Sequence, residues 1–245
     1  NDRGIIMGRR SFGKGLVQRA ILLPDYSMMR LTIAKYYTPT GRSIQKPYQS
    51  MTLNPSLQDS VSTSYNREIY ERYQNGEMIH RDSIDLNDSL RFETINLKRP
   101  VYGGGGIIPD CFVPVDTTQT TKLHRELILK GLLFQTGIKY VEANRNQLKK
   151  QYSNFEIFKR EFNVDEGMLS LLETLCKEQG VKENESELKT SLPMIEVQLK
   201  ALVARDLWGL NEYFQIINTL NNSVLKAIDI LENEDYEELL SLNIK

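Results

Sequence analysis

The hydrophobic period of the chain changes once, near Asp116, and no other feature constrains the fold as much. Before that residue, apolar side chains come in short runs or in alternation, the patterns of strands; after it they recur at helical spacing. Gly4-Ile5-Ile6-Met7-Gly8 is an apolar run bounded by glycines and reads as a buried strand. Leu16 to Leu23 reads as a second strand, and Pro24-Asp25-Tyr26-Ser27 has turn chemistry. Met29 to Tyr37 then alternates, with Met29, Leu31 and Ile33 on one side and Arg30 and Thr32 on the other. That pattern predicts a half-buried strand completing a hairpin, ended by Thr38-Pro39-Thr40-Gly41. Strand character returns at 92–97 and 107–113, on either side of Gly103-Gly104-Gly105-Gly106.

Beyond Asp116 the expected elements are helices. Leu123, Leu127, Leu129 and Leu132 head one that runs to about Asn144, with Thr117 or Thr118 as its cap. Ser153 is placed to cap a helix carrying Phe155, Phe158 and Phe162. Asp165 is placed to cap another, through Met168, Leu171, Leu172 and Leu175, which Gly180 ends. Lys182 to Glu187 reads as a charged connector, and Pro193 suits the first turn of a longer helical stretch through Ile195, Leu199, Leu202, Val203, Leu207 and Trp208. Tyr213–Leu220, Val224–Leu231 and Tyr236–Leu242 complete the set. The expected class is therefore α+β: a β-rich part over 1–116 and an all-helical domain over 117–245. Residues 48–91, rich in Ser, Asn, Gln, Asp and Tyr, read as an insertion, with one short helix over 67–74 stopped by Gly76.

Charge and composition exclude several functions. Lys and Arg total 31 against 32 Asp and Glu, a net −1, which gives no global case for nucleic acid. No apolar run approaches the ~18 residues of a membrane span. Two cysteines, Cys111 and Cys176, make neither a disulfide framework nor a Cys-based zinc site. His80 and His124 stand alone, without ligand spacing. The four glycines at 103–106 suit a turn with close backbone approach better than an anion cradle. The balanced total hides an asymmetry: residues 1–47 carry nine Lys/Arg against Asp2 and Asp25. That reads as a basic face set near an acidic region, or as an anion-handling site. The first residue is Asn rather than Met, so the chain reads as a piece of something longer.

The richest stretch is Gly8-Arg9-Arg10-Ser11-Phe12-Gly13-Lys14-Gly15-Leu16-Val17-Gln18. Three chemistries compete for it. A phosphate loop would need Ser or Thr where Gly15 stands, and a helix start where Leu16 begins a strand. A Ser-x-x-Lys nucleophile, Ser11 with Lys14, needs a helical turn that Gly13 and Gly15 disfavour. The third is a lysine general base for a serine elsewhere. Lysine takes a hydroxyl proton only when neutral, so its pKa must be lowered by burial or by neighbouring positive charge. Phe12, Leu16 and Val17 would supply the first, and Arg9 and Arg10 the second, while the Gln18 amide is placed to hold the amine. On spacing alone a solvated lysine beside a glycine turn is the reading to prefer.

This stretch resembles the lysine segment of the carboxyl-terminal processing peptidases, the tail-specific serine proteases of family S41. Leu31-Thr32-Ile33-Ala34-Lys35-Tyr36-Tyr37-Thr38-Pro39-Thr40-Gly41-Arg42-Ser43-Ile44-Gln45 resembles that family's second signature, and Gly106-Ile107-Ile108-Pro109-Asp110 its Gly-Ile-x-Pro-Asp segment. The resemblance covers residues 1–47 and 100–115. The insertion and helical tail resemble an elongated bacterial branch of the family. The resemblance implies Lys14 as general base and Gln18 as the residue that orients it, and assigns Asp110 no chemistry. It also implies a nucleophilic serine, oxyanion glycines and a peptide-binding PDZ domain upstream of Asn1. The expectation is thus the C-terminal portion of a Ser–Lys endopeptidase that acts near protein C-termini, inactive by itself. No metal or cofactor is implied; the location implied is the periplasm or cell envelope. The helical domain is expected to be either part of that protease or a non-catalytic module binding an adaptor or a second copy.

Overall fold

Among the described residues of the first half six short strands form, in three separate two-stranded sheets. β1 (Met7–Gly8) pairs in parallel with β6 (Cys111–Phe112), Met7 opposite Cys111. β2 (Leu16–Leu22) and β3 (Met28–Lys35) form the expected hairpin, with Leu22 opposite Met28 and Leu16 opposite Lys35. Its turn closes through Leu23 N–H donating to the Ser27 carbonyl (2.8 Å) and Ser27 N–H donating to Asp25 Oδ1 (3.0 Å). β4 (Arg91–Glu93) and β5 (Pro100–Tyr102) pair antiparallel. The computed structural model describes residues 2–46, 70–182, 184–233 and 236.

The hairpin departs from expectation in burial. Met29, Leu31 and Ile33 are 43, 49 and 56% exposed, so β3 is not half-buried. Among the described residues β2 and β3 pair only with each other, and a two-stranded ribbon has no second layer against which to bury a face. The strands expected over 92–97 and 107–113 shrink to β4 and β6. Residues 70–74 are helical, as expected before Gly76; residues 67–69 of that expected helix lie outside the described residues.

Contacts divide the chain into one unit of Asn1–Val115 with Lys226–Lys245 and another of Asp116–Leu225. The second unit is helical: α1 (Lys122–Leu129), α2 (Leu132–Gln151), α3 (Phe155–Glu161), α4 (Glu166–Glu178), α5 (Glu185–Leu207) and α6 (Leu210–Ile217). A further helix, α7 (Asn222–Asn233), runs across the division, and of the expected helix over 236–242 only Tyr236 lies within the described residues. Phe158 and Phe162 stack at 4.5 Å, with Tyr152 and Trp208 against Phe158, in a core shared with Met168, Ile195 and Leu199. Two expected stops and starts hold: Asp165 Oδ1 accepts from Met168 N–H at 2.8 Å, and after Gly180 the Val181 N–H returns to the Cys176 carbonyl at 2.9 Å.

Other caps shift by a few residues. The first helix is capped by Thr121, not Thr117 or Thr118, and it breaks at Lys130–Gly131 before α2 begins. Asn154 rather than Ser153 caps α3, accepting from Ile157 N–H at 3.0 Å. The supposed connector at 182–187 opens α5 instead. Asn184 accepts from Glu187 N–H, and the Glu187 carboxylate reaches back to Asn184 and also accepts from Leu123 N–H at 2.7 Å. Pro193 therefore lies inside the helix rather than in its first turn.

Candidate functional site

The three sequence signatures converge in the first unit. Ser11 N–H donates to the Ile107 carbonyl (2.9 Å), and Ile107 N–H donates to Ser11 Oγ (2.8 Å). Lys46 N–H donates to the Gly13 carbonyl (2.9 Å), and Gly106 N–H to the Ile44 carbonyl (3.0 Å). Gly15 N–H donates to Gln45 Oε1 (2.7 Å), while its carbonyl accepts from Tyr36 N–H (2.8 Å). The loop bearing Lys14 is thus stitched on both sides, to the end of the second signature and to the start of the third. Glycine is required where the strands of this knot meet. A Cβ on Gly106, at φ +93°, would lie 2.1 Å from the Ser11 carbonyl oxygen, and one on Gly13, at φ +88°, would lie 2.9 Å from Gly106 N.

The local geometry does not fit two of the competing readings of the stretch. Residues 11–14 are not helical, so no helical turn places Ser11 and Lys14 on one face, and Ser11 Oγ is engaged by Ile107. β2 rather than a helix follows Gly15, so the stretch lacks the helix start of a phosphate loop.

Lys14 projects from the knot and is exposed, and so is Gln18. The ladder of the hairpin is irregular between Val17 and Gln18, and Gln18 is set opposite Thr32. A bulge of this kind re-aims side chains at the rims of sites. Four residues of extended chain span roughly 13 Å, and no hydrogen bond joins Lys14 to Gln18 among the described residues. The burial expected around Lys14 is not supplied by these residues. The positive neighbours expected there are also spent elsewhere. Arg10 is bound to Glu77, and Arg9 Nη1 reaches the Val113 carbonyl (3.3 Å).

Sequence reasoning missed the ionic groups that hold this region. Glu77, 3% exposed, accepts Arg10 Nε at 2.8 Å, Arg10 Nη2 at 2.6 Å and Arg72 Nε at 2.7 Å. Burial alone would raise the Glu77 pKa; the bonds and charge of Arg10, with those of Arg72, outweigh it and hold it below the ordinary range. Asp110, to which the family resemblance assigns no chemistry, pairs with Arg99 Nη1 (2.7 Å) and accepts from Ile6 N–H (2.9 Å). Arg99 Nε also meets Asp2 at 2.9 Å. Burial pulls the Asp2 pKa up, but hydrogen bonds led by Leu97 N–H and the Arg99 side chain bring it down from 3.8 to about 2. Arg42, in the second signature, is half-buried, and desolvation lowers its pKa against the opposing charge of Asp110. The excess of cations before residue 47 was a signal for Arg10 and Arg42 alone, and nothing local names the partners of Arg72 and Arg99. In the helical unit, buried His124 meets Gln198 Oε1 through Nε2 at 2.9 Å, which gives it a packing role.

Residues 1–52 match the model of Peptidase family S41. Residues 123–209 match a Family of unknown function (DUF8443). Among curated proteins, a chloroplastic C-terminal processing peptidase of Tetradesmus obliquus is 50% identical over 46 residues, 19% of this chain and 10% of that protein. A carboxyl-terminal-processing protease of Picosynechococcus sp. is 46% identical over 46 residues, 19% of this chain and 11% of the relative. A carboxy-terminal-processing protease of Bartonella bacilliformis is 56% identical over 43 residues, 18% and 10% of the two chains. The matched stretch is about a tenth of the length of these relatives. No solved structure matches the chain. The N-terminal stretch is therefore similar to Peptidase family S41 and to carboxyl-terminal processing proteases, and it is the stretch that builds the Lys14 loop.

Proposed function

We propose that this chain supplies the lysine half of a Ser–Lys serine endopeptidase that cleaves proteins near their C-termini. Lys14 is the general base and Gln18 the residue that orients it. Serine attack gives an acyl-enzyme with loss of the leaving amine, and water activated by neutral Lys14 then releases the acid and regenerates the serine. The observation that carries this reading is the knot itself. Three signatures distant in sequence meet around Lys14 and leave its amine projecting from a tied backbone. The desolvation that a neutral lysine needs is then supplied by the segment bearing the serine and by bound substrate. Among the described residues no serine is hydrogen-bonded to Lys14, and Ser11 Oγ is engaged by Ile107, so by this reading the chain alone does not hydrolyse peptides. No metal or cofactor takes part. Protein or peptide C-termini are the substrate, and the parent protease works in the periplasm or cell envelope, as the family resemblance suggests. Among the described residues no helix is long and apolar enough to cross a membrane.

The test is made in the full-length protein that carries this chain. Lys14→Ala is expected to lower kcat by about 10²- to 10⁴-fold and Gln18→Ala by less, both with unchanged melting. The isolated chain is expected to take up no serine-reactive fluorophosphonate at Ser11. Normal turnover by folded Lys14→Ala removes Lys14 from the mechanism, and stoichiometric labelling of Ser11 restores the Ser-x-x-Lys reading.

A second reading concerns the helical unit as a module that binds an adaptor or a second copy. It is favoured by α6, where Leu210 and Phe214, one turn apart, are 62 and 51% exposed.

A further inference from the structure

The segment read from sequence as an insertion returns to the site. Residues 70–74 form a helical turn, Gly76 (φ +81°) reverses the chain, and Asn75 Oδ1 accepts from Glu77 N–H at 3.0 Å. This turn points Glu77 inward, where its carboxylate takes both nitrogens of one edge of the Arg10 guanidinium. Arg10 Nη1, on the other edge, donates to the Gly105 carbonyl at 2.9 Å. Arg72, from the same segment as Glu77, donates to that carboxylate and to the main-chain carbonyl of Arg10 at 2.7 Å. Arg10 is thus gripped at its guanidinium by Glu77 and Gly105 and at its backbone by Arg72. The next residue, Ser11, makes the two bonds to Ile107, and Lys14 follows three residues later.

We propose that Glu77 and Arg72 are positioning residues for Lys14, so that the 70–77 segment sets the geometry of the lysine loop through Arg10. The inference rests on the reading of Lys14 as general base. Two guanidinium groups share one buried carboxylate, so neutralising that carboxylate leaves two cations facing each other without a counter-charge. The relief open to them is for Arg10 to swing out, which draws residues 9–13 off Ile107 and Ile44–Lys46. A displacement of about 1 Å at a reacting group is worth up to 10²-fold in rate. Bidentate geometry makes the arrangement specific to a carboxylate at this position.

The experiment uses the full-length protein with Glu77→Gln, which keeps shape and removes charge, and Glu77→Asp, which keeps charge. Turnover of an unstructured protein substrate and backbone hydrogen exchange are recorded on the same samples, normalised to the folded fraction by thermal melting. Glu77→Gln is expected to lower kcat between about 10- and 100-fold with KM little changed, and to speed exchange at Ser11 and Lys46 but not in the β2–β3 hairpin. Glu77→Asp is expected to recover most of both. An unchanged kcat in folded Glu77→Gln overturns the proposal. So does a fall in kcat matched by the loss of folded protein, or one that Glu77→Asp fails to repair. A wild type without peptidase activity refutes the protease reading instead. The exchange data then decide the clamp alone: selective loosening at Ser11 and Lys46 supports it, and exchange unchanged or raised equally in the hairpin refutes it.

Discussion

Gly106→Ala tests the knot at its tightest point. The added Cβ would stand 2.1 Å from the Ser11 carbonyl oxygen and 2.9 Å from the Ser11 carbonyl carbon, both main-chain atoms. An ordinary contact needs more than 3.4 Å, so one of the two backbones must move by over an ångström. That movement breaks Ser11 N–H to Ile107 O, Ile107 N–H to Ser11 Oγ and Gly106 N–H to Ile44 O. Three such bonds at about 0.5–1.5 kcal/mol each come to roughly 2–4 kcal/mol. Placing an L-residue at φ +93° adds about 1–2 kcal/mol. Gly41→Ala is the control, because its φ of +79° carries the same backbone penalty while nothing lies within 4 Å of its Cβ. The expected excess of Gly106→Ala over Gly41→Ala is therefore about 2–4 kcal/mol. Tryptophan fluorescence cannot report this, since the single Trp, Trp208, lies in the helical unit. Native-state hydrogen exchange can. Ser11, Gly106 and Ile107 amides should exchange on the order of 10²-fold faster in Gly106→Ala than in Gly41→Ala, with the hairpin amides as reference. Equal exchange in the two variants would mean that the three signatures are not held together by these contacts.

Two further outcomes are expected. Asp2 has a folded pKa of about 2 against an ordinary 3.8, so its contribution is fully present above about pH 4 and is lost as pH falls through about 2. After solvent screening near the chain start, this is worth about 1 kcal/mol. Asp2→Asn should therefore destabilise the first unit at pH 7 and by much less near pH 2, where folded Asp2 is about half protonated, as read by urea titration followed by exchange of the Asn96 and Leu97 amides. An equal deficit at both pH values would show that the ion pair with Arg99 is not the source. A fragment of residues 116–225 should give a helical circular dichroism spectrum and a cooperative melt, with Phe158→Ala costing about 3–5 kcal/mol. A disordered fragment, rescued only by residues 1–115 in cis, would place the boundary elsewhere.

Much of the fold was legible because its signals are local. A change from alternation to helical spacing depends on neighbours within one or two turns, so both halves and the hairpin could be read directly. Asp165 and Gly180 were legible for the same reason, since a cap bonds to residues three to five positions away. Where adjacent candidates compete, the direction from which the chain arrives decides. Thr121 caps the first helix in place of Thr117 or Thr118, and its hydroxyl is set by Ser191 of α5 at 2.7 Å. Asn184 opens α5 well before Pro193, because Glu187 both completes the cap and bonds to Leu123.

The candidate site divides along the same line. Residue type and spacing offered Lys14 with Gln18 as one of several competing readings, and the resemblance to the S41 peptidases singled those two residues out and set the three signatures together. Only the tertiary structure decided how they belong together. Ser11 is bound to Ile107, Arg10 serves Glu77 rather than Lys14, and Asp110 anchors Ile6 and Arg99. These partners lie far apart along the chain, and a carboxylate acquires its particular guanidinium only when folding removes both from water together. Burial is decided there too: the alternation in β3 is real, but an apolar face becomes core only where a second layer covers it.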